Sequence, residues 1–104
     1  MKFDFAWLAV SLPEPDGRWV YVGVLLRDDA SISFEPVPGF EVATVEVIRA
    51  TERATTADTI AECWDYFVDR GAGGLSSFSE PGKIEAPTRA SAVERLMRRI
   101  PAPV

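Results

Sequence analysis

Four carboxylates recur at helical spacing near the middle of the chain, at Asp58, Glu62, Asp65 and Asp69. Intervals of four, three and four residues align side chains along one face of a helix. Such a row of negative charges can bind a basic surface of a protein partner, and that function would tolerate the repulsion within the row. The alternative is an ordinary solvated helix face. We expect no metal site, because one straight helix spreads its carboxylates instead of converging them on a cation.

Large aromatic side chains are concentrated in the N-terminal third of the chain, where Trp7, Trp19 and Tyr21 lie in β-rich segments. They provide more aromatic surface than two small helices can cover. The sequence therefore predicts that these three residues line a ligand pocket or a dimer interface. The alternative is an ordinary core, since a domain of this size needs large side chains to bury enough area.

The residue types that most often carry catalysis are scarce. The chain of 104 residues has no histidine, and Cys63 is its only cysteine. These absences exclude a Ser-His-Asp or Cys-His site within the chain, an intrachain disulfide and a cysteine-rich zinc site. We therefore expect a protein that is not an enzyme and has no catalytic residues, metal or cofactor.

Two further motifs have weak chemical readings. Adjacent carboxylates at Asp28 and Asp29 suggest acid/base or Mg²⁺ chemistry, but neighbouring residues in a turn point in different directions. The glycine-rich segment 71–77 suggests a phosphate loop, yet it follows a predicted helix and lacks the Lys-Ser/Thr pair of such loops. We interpret the first as a solvated turn and the second as a linker or lid.

The elements that must position these residues begin with β structure. We predict four strands, at residues 2–12, 18–27, 31–35 and 40–50. The turn signal Pro13–Gly17 joins the first two strands as a hairpin. Both faces of this hairpin are apolar, so we expect it either to lie centrally and to be covered on both sides or to form part of a closed, strongly curved sheet. Gly23 interrupts one face and marks a bulge or a close approach.

Helical periodicity then replaces the strand pattern. The spacing predicts a helix over residues 56–70, with a capping box from Thr55 to Asp58 and a C-terminal cap at Gly71. Residues 71–87 are rich in Gly, Ser and Pro and are predicted to form a flexible loop. A last helix, capped by Thr88 or Ser91, ends before Pro101.

The resulting fold class is α+β within a single domain spanning residues 1–104. The predicted order is ββββ-α-loop-α, a four-stranded mostly antiparallel sheet with two helices packed on one of its faces.

Charge is distributed unevenly along the chain. Residues 1–80 carry 6 Lys and Arg against 14 Asp and Glu, a net −8, while residues 81–104 carry 5 against 2, a net +3. An acidic body repels phosphates, so we expect no direct nucleic-acid binding by most of the surface. The basic tail can either bind a phosphate or pair with the acidic body and the end of its own helix. The arginines of this tail are Arg89, Arg95, Arg98 and Arg99.

Charged residues interrupt every apolar stretch before it reaches the length of a membrane helix, so we expect no membrane span. The N-terminal residues lack the apolar core of a signal peptide, and a lone thiol fits a reducing compartment. The sequence therefore predicts a cytoplasmic protein.

These observations lead to a functional hypothesis and two alternatives. The first is a small acidic protein-binding module, of the inhibitor, immunity or phage and mobile-element antagonist type, which docks its row of carboxylates on a basic surface of a protein partner. The second is a small-ligand-binding domain or weak enzyme, with a pocket between the aromatic sheet and the loop 71–87; its acid/base candidates are carboxylates and Tyr21 or Tyr66. The third is a structural subunit or homodimer formed through an open sheet edge.

Overall fold

The computed structural model describes residues 1–12, 17–73 and 76–101. The strands in this part of the chain are β1 (Lys2–Ser11), β2 (Trp19–Arg27), β3 (Ile32–Pro36), β4 (Ser76–Phe78) and β5 (Gly82–Glu85). The α-helices there are α1 (Val45–Arg53), α2 (Ala57–Arg70) and α3 (Arg89–Met97), and a short 3-10 helix (Val42–Thr44) leads into α1. The fold is α+β, as the sequence predicts.

The strands form one antiparallel sheet in which β1 is central. β1 pairs with β2 on one side and with both β4 and β5 on the other, and β3 pairs with the outer side of β2. The predicted pairing of the first two strands and the predicted third strand are confirmed. The predicted turn between β1 and β2 includes residues 13–16, which lie outside the described residues.

A bulge in β2 lies beside Gly23, as the sequence predicts. Leu8 of β1 faces Gly23 and Ala9 faces Tyr21, so Val22 is the extra residue. The bulge changes the alternation of side chains along β2, because after one extra residue the following side chains point to the opposite faces of the sheet from those that strict alternation would give. A side chain at Gly23 would overlap the ring of Phe34 and lie 2.8 Å from the Glu35 carbonyl oxygen. Glycine is needed here for space.

The prediction that residues 71–87 form a loop needs correction, because this segment contributes β4 and β5 to the sheet. Both strands run along the same edge of β1, with residues 78 and 82 facing Leu8 and Phe5. Residues 79–81 on this edge therefore lie opposite only two residues of β1, Ala6 and Trp7. Ser79 keeps contact across this irregularity, since its backbone N–H donates to the Trp7 carbonyl at 2.8 Å and its hydroxyl accepts from the Trp7 N–H at 3.0 Å.

The predicted fourth strand at residues 40–50 is wrong, because this segment forms the 3-10 helix and most of α1. Its buried or half-buried residues Thr44, Val47, Ile48 and Thr51 follow a helical period of three and four residues. The two buried threonines donate their hydroxyl protons within the helix, Thr44 to the Phe40 carbonyl at 2.9 Å and Thr51 to the Ile48 carbonyl at 2.7 Å. Packing on the sheet therefore prevails over the β propensity of the branched side chains.

The predicted helix at residues 56–70 is confirmed by α2, although its cap lies one residue further along. Thr56 is the N-cap: its hydroxyl accepts from the Thr59 N–H at 3.2 Å, and the Thr59 hydroxyl accepts from the Thr56 N–H at 2.9 Å. At the other end Gly71 adopts a positive φ of 73° and donates its N–H to the Phe67 carbonyl. Such a backbone conformation favours glycine.

Helices cover both faces of the sheet, which corrects the prediction that they share one face. One core cluster joins α1 and α2 to one face and includes Leu8, Leu25, Phe34, Val47 and Trp64. A second cluster joins α3 to the opposite face and includes Phe3, Trp7, Val24, Leu26, Ala92 and Leu96. The apolar residues on both faces of β1 and β2 are explained by these two cores.

Arg89, at the start of α3, fixes this helix to the sheet. Its Nη1 donates to the Leu26 carbonyl and the Ser33 hydroxyl, at 3.1 and 2.8 Å. Its Nη2 donates to the carbonyl and the hydroxyl of Ser31, at 3.1 and 2.6 Å, and lies 3.5 Å from an Asp28 carboxylate oxygen. The guanidinium is thus engaged within the fold and is not available as a phosphate ligand.

Candidate functional site

The four predicted partner-binding carboxylates lie together on the outer face of α2. Asp58, Glu62, Asp65 and Asp69 are all exposed, and at 100° per residue they fall within about 60° of one another around the helix axis. The opposite side of the helix carries the buried Ile60, Trp64 and Phe67. In the part of the chain that the structure describes, none of the four forms an ion pair. We call this surface the acidic stripe.

Tyr66 adjoins the acidic stripe and was not singled out by the sequence as a partner-binding residue. It lies four residues after Glu62 and three before Asp69, and 55% of its surface is exposed. Its ring packs edge-on against Phe67, with the ring centroids 5.6 Å apart, and Arg70 places its guanidinium 5.5 Å from the centroid. Its helical position beside the carboxylates was the available signal.

The three predicted aromatic residues have different surroundings. Trp7 is only 4% exposed and belongs to the core beneath α3, where its ring meets Tyr21 edge-on at a centroid distance of 6.1 Å. Trp19 and Tyr21 are half-buried and line a groove of about 330 Å³. The remaining lining residues are Ala9, Ser77, Phe78 and Ser79. This aromatic groove runs across β2, β1 and β4, so the part of the segment 71–87 beside it is itself a strand of the sheet and not a loop over a pocket.

A larger charged cleft of about 860 Å³ opens between the sheet and the first turn of α2. Asp4 lies in it and joins two cations: Arg27 Nε donates to one carboxylate oxygen at 3.2 Å, and Lys83 Nζ to the other at 2.9 Å. Arg27 also stacks on Trp64, 4.5 Å from the ring centroid. The sequence offered no signal for this group, because Asp4 and Lys83 are 79 residues apart.

The ion pairs in this cleft keep the Asp4 carboxyl ionised. Burial alone would raise the pKa of the Asp4 carboxyl, but hydrogen bonds and charges from Lys83 and Arg27 outweigh burial and hold the pKa below its ordinary value of 3.8. Asp4 is therefore ionised at neutral pH and cannot donate a proton there. The cleft has the character of a structural ion-pair group.

The adjacent carboxylates Asp28 and Asp29 differ in their hydrogen bonds and in their exposure. Asp28 Oδ1 accepts from the N–H groups of Ala30 and Ser31, both at 2.8 Å. Burial would raise the pKa of Asp28, but these bonds and the charge of Arg89 lower it overall. Asp29 is exposed. Both residues line the charged cleft, but the bonds of Asp28 are directed to the backbone and hold the turn between β2 and β3.

The lone cysteine and clusters of metal-binding side chains are the other groups with possible chemistry. Burial raises the pKa of the Cys63 thiol, and nearby Arg53 opposes this only in part, so the thiol is protonated at neutral pH. Within the described ranges, no cluster of three or more Cys, Asp or Glu residues is arranged to hold a metal ion. No helix among these residues is long and apolar enough to cross a bilayer.

Comparison with family models, with curated proteins and with solved structures gives no match to this chain. Its function must therefore be inferred from its own surface chemistry. The acidic stripe with Tyr66 and the aromatic groove are the two surfaces that carry the residues predicted from sequence, apart from Trp7, which lies in the core.

Proposed function

We propose that this protein is a small acidic binding module that docks the acidic stripe of α2 on a basic surface of a protein partner. It acts without catalysis, in the manner of an inhibitor, an immunity protein or an antagonist of a host system. We place it in the cytoplasm as part of the same proposal, because a single cysteine fits a reducing compartment.

The observation that carries the proposal is the exposure of the whole stripe without internal counter-ions. Elsewhere in the described chain Asp4, Asp28 and Glu94 are paired with cations, whereas Asp29, Glu52 and Glu80 are not; the stripe differs from all of these in aligning four unpaired carboxylates on one helix face. The stripe keeps its charges free although like charges at these spacings cost roughly 0.2–0.5 kcal/mol per pair. An exposed row of carboxylates of this kind steers association toward a basic surface by electrostatic attraction.

Tyr66 supports the same proposal through apolar contact instead of charge. Tyrosine is enriched among the residues that contribute most to protein interfaces, because its ring buries apolar area while its hydroxyl keeps a polar contact. Tyr66 is an exposed aromatic ring held in place by Phe67 at the border of the stripe. A docking surface with charges for steering and a ring for burial follows.

The test uses a neutralised stripe. In the triple variant Glu62→Gln, Asp65→Asn, Asp69→Asn, we expect affinity capture from lysate to lose the partner that the wild-type protein retains at low salt. With the captured partner purified, the association rate should fall roughly tenfold at low salt, and its salt dependence should weaken. Tyr66→Ala should raise the dissociation constant roughly tenfold or more.

A matched control removes three exposed carboxylates elsewhere, in the variant Asp29→Asn, Glu52→Gln, Glu80→Gln. This variant has the same net charge as the neutralised stripe and should still retain the partner. Equal retention by wild type and both triple variants would contradict docking through the stripe. A loss that is the same in both variants would assign the effect to net charge alone.

A second candidate function is favoured by the aromatic groove, which runs across β2, β1 and β4 and ends at Ser79. A planar ligand could stack on Trp19 and Tyr21, with Ser77 and Ser79 beside it. Trp7 and Trp64 are each only 4% exposed, so Trp19 should dominate any change of fluorescence on ligand binding.

The probes for this candidate are adenosine, as a planar base, and maltose, as a pyranose. Saturable quenching or a blue shift in the wild-type protein, absent in Trp19→Phe, would favour a ligand-binding domain. A flat response to both probes counts against this function and leaves the protein-binding proposal unaffected.

A further inference from the structure

A third groove, of about 350 Å³, lies on the face of the sheet that α3 covers. Its lining combines two kinds of residue, apolar and cationic. The apolar residues are Phe5, Ile84 and Leu96, and the cationic residues are Lys83, Arg95 and Arg99. Among the described residues that line it, none is acidic. We call this surface the basic groove.

The apolar residues of the basic groove are held in place by the sheet and by α3. Phe5 lies on β1 directly opposite Gly82 of β5, and a Cβ atom on Gly82 would lie 2.6 Å from the Phe5 ring. The ring therefore lies against the backbone of β5, in a position that only glycine allows. Leu96 is buried, and Phe5 and Ile84 are half-buried, so the groove offers an apolar surface open on one side.

The cations around this surface come from two elements. Arg95 donates from one guanidinium nitrogen to the Glu85 carbonyl at 2.8 Å, which positions the side chain and leaves its other donors without a bond among the described residues. The Arg99 side chain forms no hydrogen bond or ion pair within the same residues. Lys83 reaches Asp4 on the neighbouring cleft. The concentration of positive charge is notable in a chain with a net charge of −5.

We propose that the basic groove binds a small amphipathic carboxylate, with the apolar body of the ligand on Phe5, Ile84 and Leu96 and its carboxylate between Arg95 and Arg99. Charge complementarity sets the sign of the head group, and Arg side chains suit carboxylates because they donate two parallel hydrogen bonds. The apolar half of the lining selects a ligand with an apolar body, since burying that surface favours binding. This ligand site is separate from the acidic stripe and does not depend on the proposed function.

A polyanion is a poorer match for the same groove. Nucleic-acid binding relies on many phosphate contacts spread along a basic surface, whereas this groove has three cations and the body of the protein is acidic. A carboxylate with an apolar body uses both halves of the lining.

The test is a titration of the ¹⁵N-labelled protein with octanoate below its micelle-forming concentration, followed by amide NMR. We expect saturable shifts centred on Ile84, Leu96 and Arg99. Octanol, which lacks the charge, and inorganic phosphate, which lacks the apolar body, should each bind several-fold more weakly. Arg95→Gln and Arg99→Gln should each weaken octanoate binding roughly two- to fivefold.

Arg49→Gln is the matched control, because Arg49 is an exposed arginine on α1, across the sheet from the basic groove. It should leave octanoate binding unchanged. Arg99→Gln is the decisive variant, because Arg99 lies beyond the end of α3 and its loss should not disturb folding. Octanoate shifts that are the same in Arg99→Gln and wild type would overturn the proposal. Binding of octanol or phosphate as tight as that of octanoate would also overturn it, as would the absence of saturable shifts.

Discussion

At the scale of single residues, Asp28 and Arg89 connect the turn after β2 with the start of α3. Asp28 organises the turn through its bonds to Ala30 and Ser31, and Arg89 binds the carbonyls exposed at the ends of β2 and β3. Their ion pair at 3.5 Å closes the group. Asp28 satisfies the N–H groups of Ala30 and Ser31, and Arg89 adds a donor to the Leu26 carbonyl and to the Ser31 carbonyl, which also accepts from the Asp28 N–H at 3.0 Å. The helix on this face is therefore held by polar contacts as well as by its apolar core.

Asp28→Ala should destabilise the protein by about 2 kcal/mol at neutral pH, because it removes the acceptor for two backbone donors and the partner of Arg89. Because the folded-state pKa of Asp28 is lowered, its ionic contribution is complete above the ordinary carboxyl pKa of 3.8 and is lost as the pH falls below it. The difference in unfolding free energy between wild type and Asp28→Ala should therefore be smaller at about pH 3 than at about pH 5, since these two values lie on either side of that pKa. Urea unfolding of both proteins at the two pH values measures this difference.

The neighbouring Asp29→Ala serves as the control, because Asp29 is exposed and makes no hydrogen bond or ion pair among the described residues. Its effect should stay within about 0.5 kcal/mol at both pH values. A gap for Asp28→Ala that does not change with pH would mean that the carboxylate acts through shape and not through charge.

Gly23 shows how a missing side chain determines packing. Ala at this position would overlap the ring of Phe34 and lie 2.8 Å from the backbone oxygen of Glu35. We expect Gly23→Ala to lower the unfolding free energy by about 1–3 kcal/mol, the usual cost of overpacking. Adding Phe34→Leu should recover part of this loss, because the ring contact is removed while the backbone contact is kept. Thermal unfolding of the two single variants and the double variant measures the coupling, and strict additivity would contradict a direct clash.

At the scale of elements, the N-terminal cap of α2 is one residue away from the position that the sequence predicts. The sequence predicts Thr55 as the capping residue, whereas the structure assigns the reciprocal bonds to Thr56 and Thr59. Thr56→Ala should therefore cost about 1 kcal/mol, the typical loss of an N-cap, and Thr55→Ala should stay within about 0.5 kcal/mol. Denaturant unfolding of the two variants measures these losses of unfolding free energy. The reverse order of effects would restore the cap predicted from sequence.

How much of the fold can be predicted from the sequence depends on how local its signals are. The hairpin of β1 and β2 and the helix α2 follow from alternation and from helical period within one segment. The helix α1 was predicted as a strand because its branched residues favour β structure, and only contact with β3 decides between the two. The strands β4 and β5 have three and four residues and form because β1 offers a free edge, a partner more than 60 residues away. Neither decision is local.

The same distinction applies to the candidate sites. The acidic stripe was predictable because one helix carries all four carboxylates. The aromatic groove was partly predictable from Trp19 and Tyr21, although its serine wall depends on β4. The basic groove was not predictable, because Phe5 and Arg99 belong to opposite ends of the chain and meet only when α3 packs on β1 and β5.

At the scale of the whole molecule, the sheet separates two surfaces of opposite charge. The acidic stripe lies on the outer side of α2 on one face, and the basic groove lies beside α3 on the other. With about 10 Å for each packed layer, the two surfaces are separated by about 20 Å. This exceeds the Debye length of about 8 Å at physiological ionic strength, so each surface should bind its ligand independently.

The neutralised stripe tests this independence when octanoate binding is measured in the triple variant, in Arg99→Gln and in their combination. At physiological salt the triple variant should bind octanoate within about twofold of wild type, and the combined effects should add to within about 0.5 kcal/mol. At low salt the triple variant should bind octanoate more tightly than wild type, because its smaller negative charge repels a carboxylate less. A large loss of octanoate binding in the triple variant at physiological salt would instead mean that α2 and the basic groove are coupled through the core of the sheet.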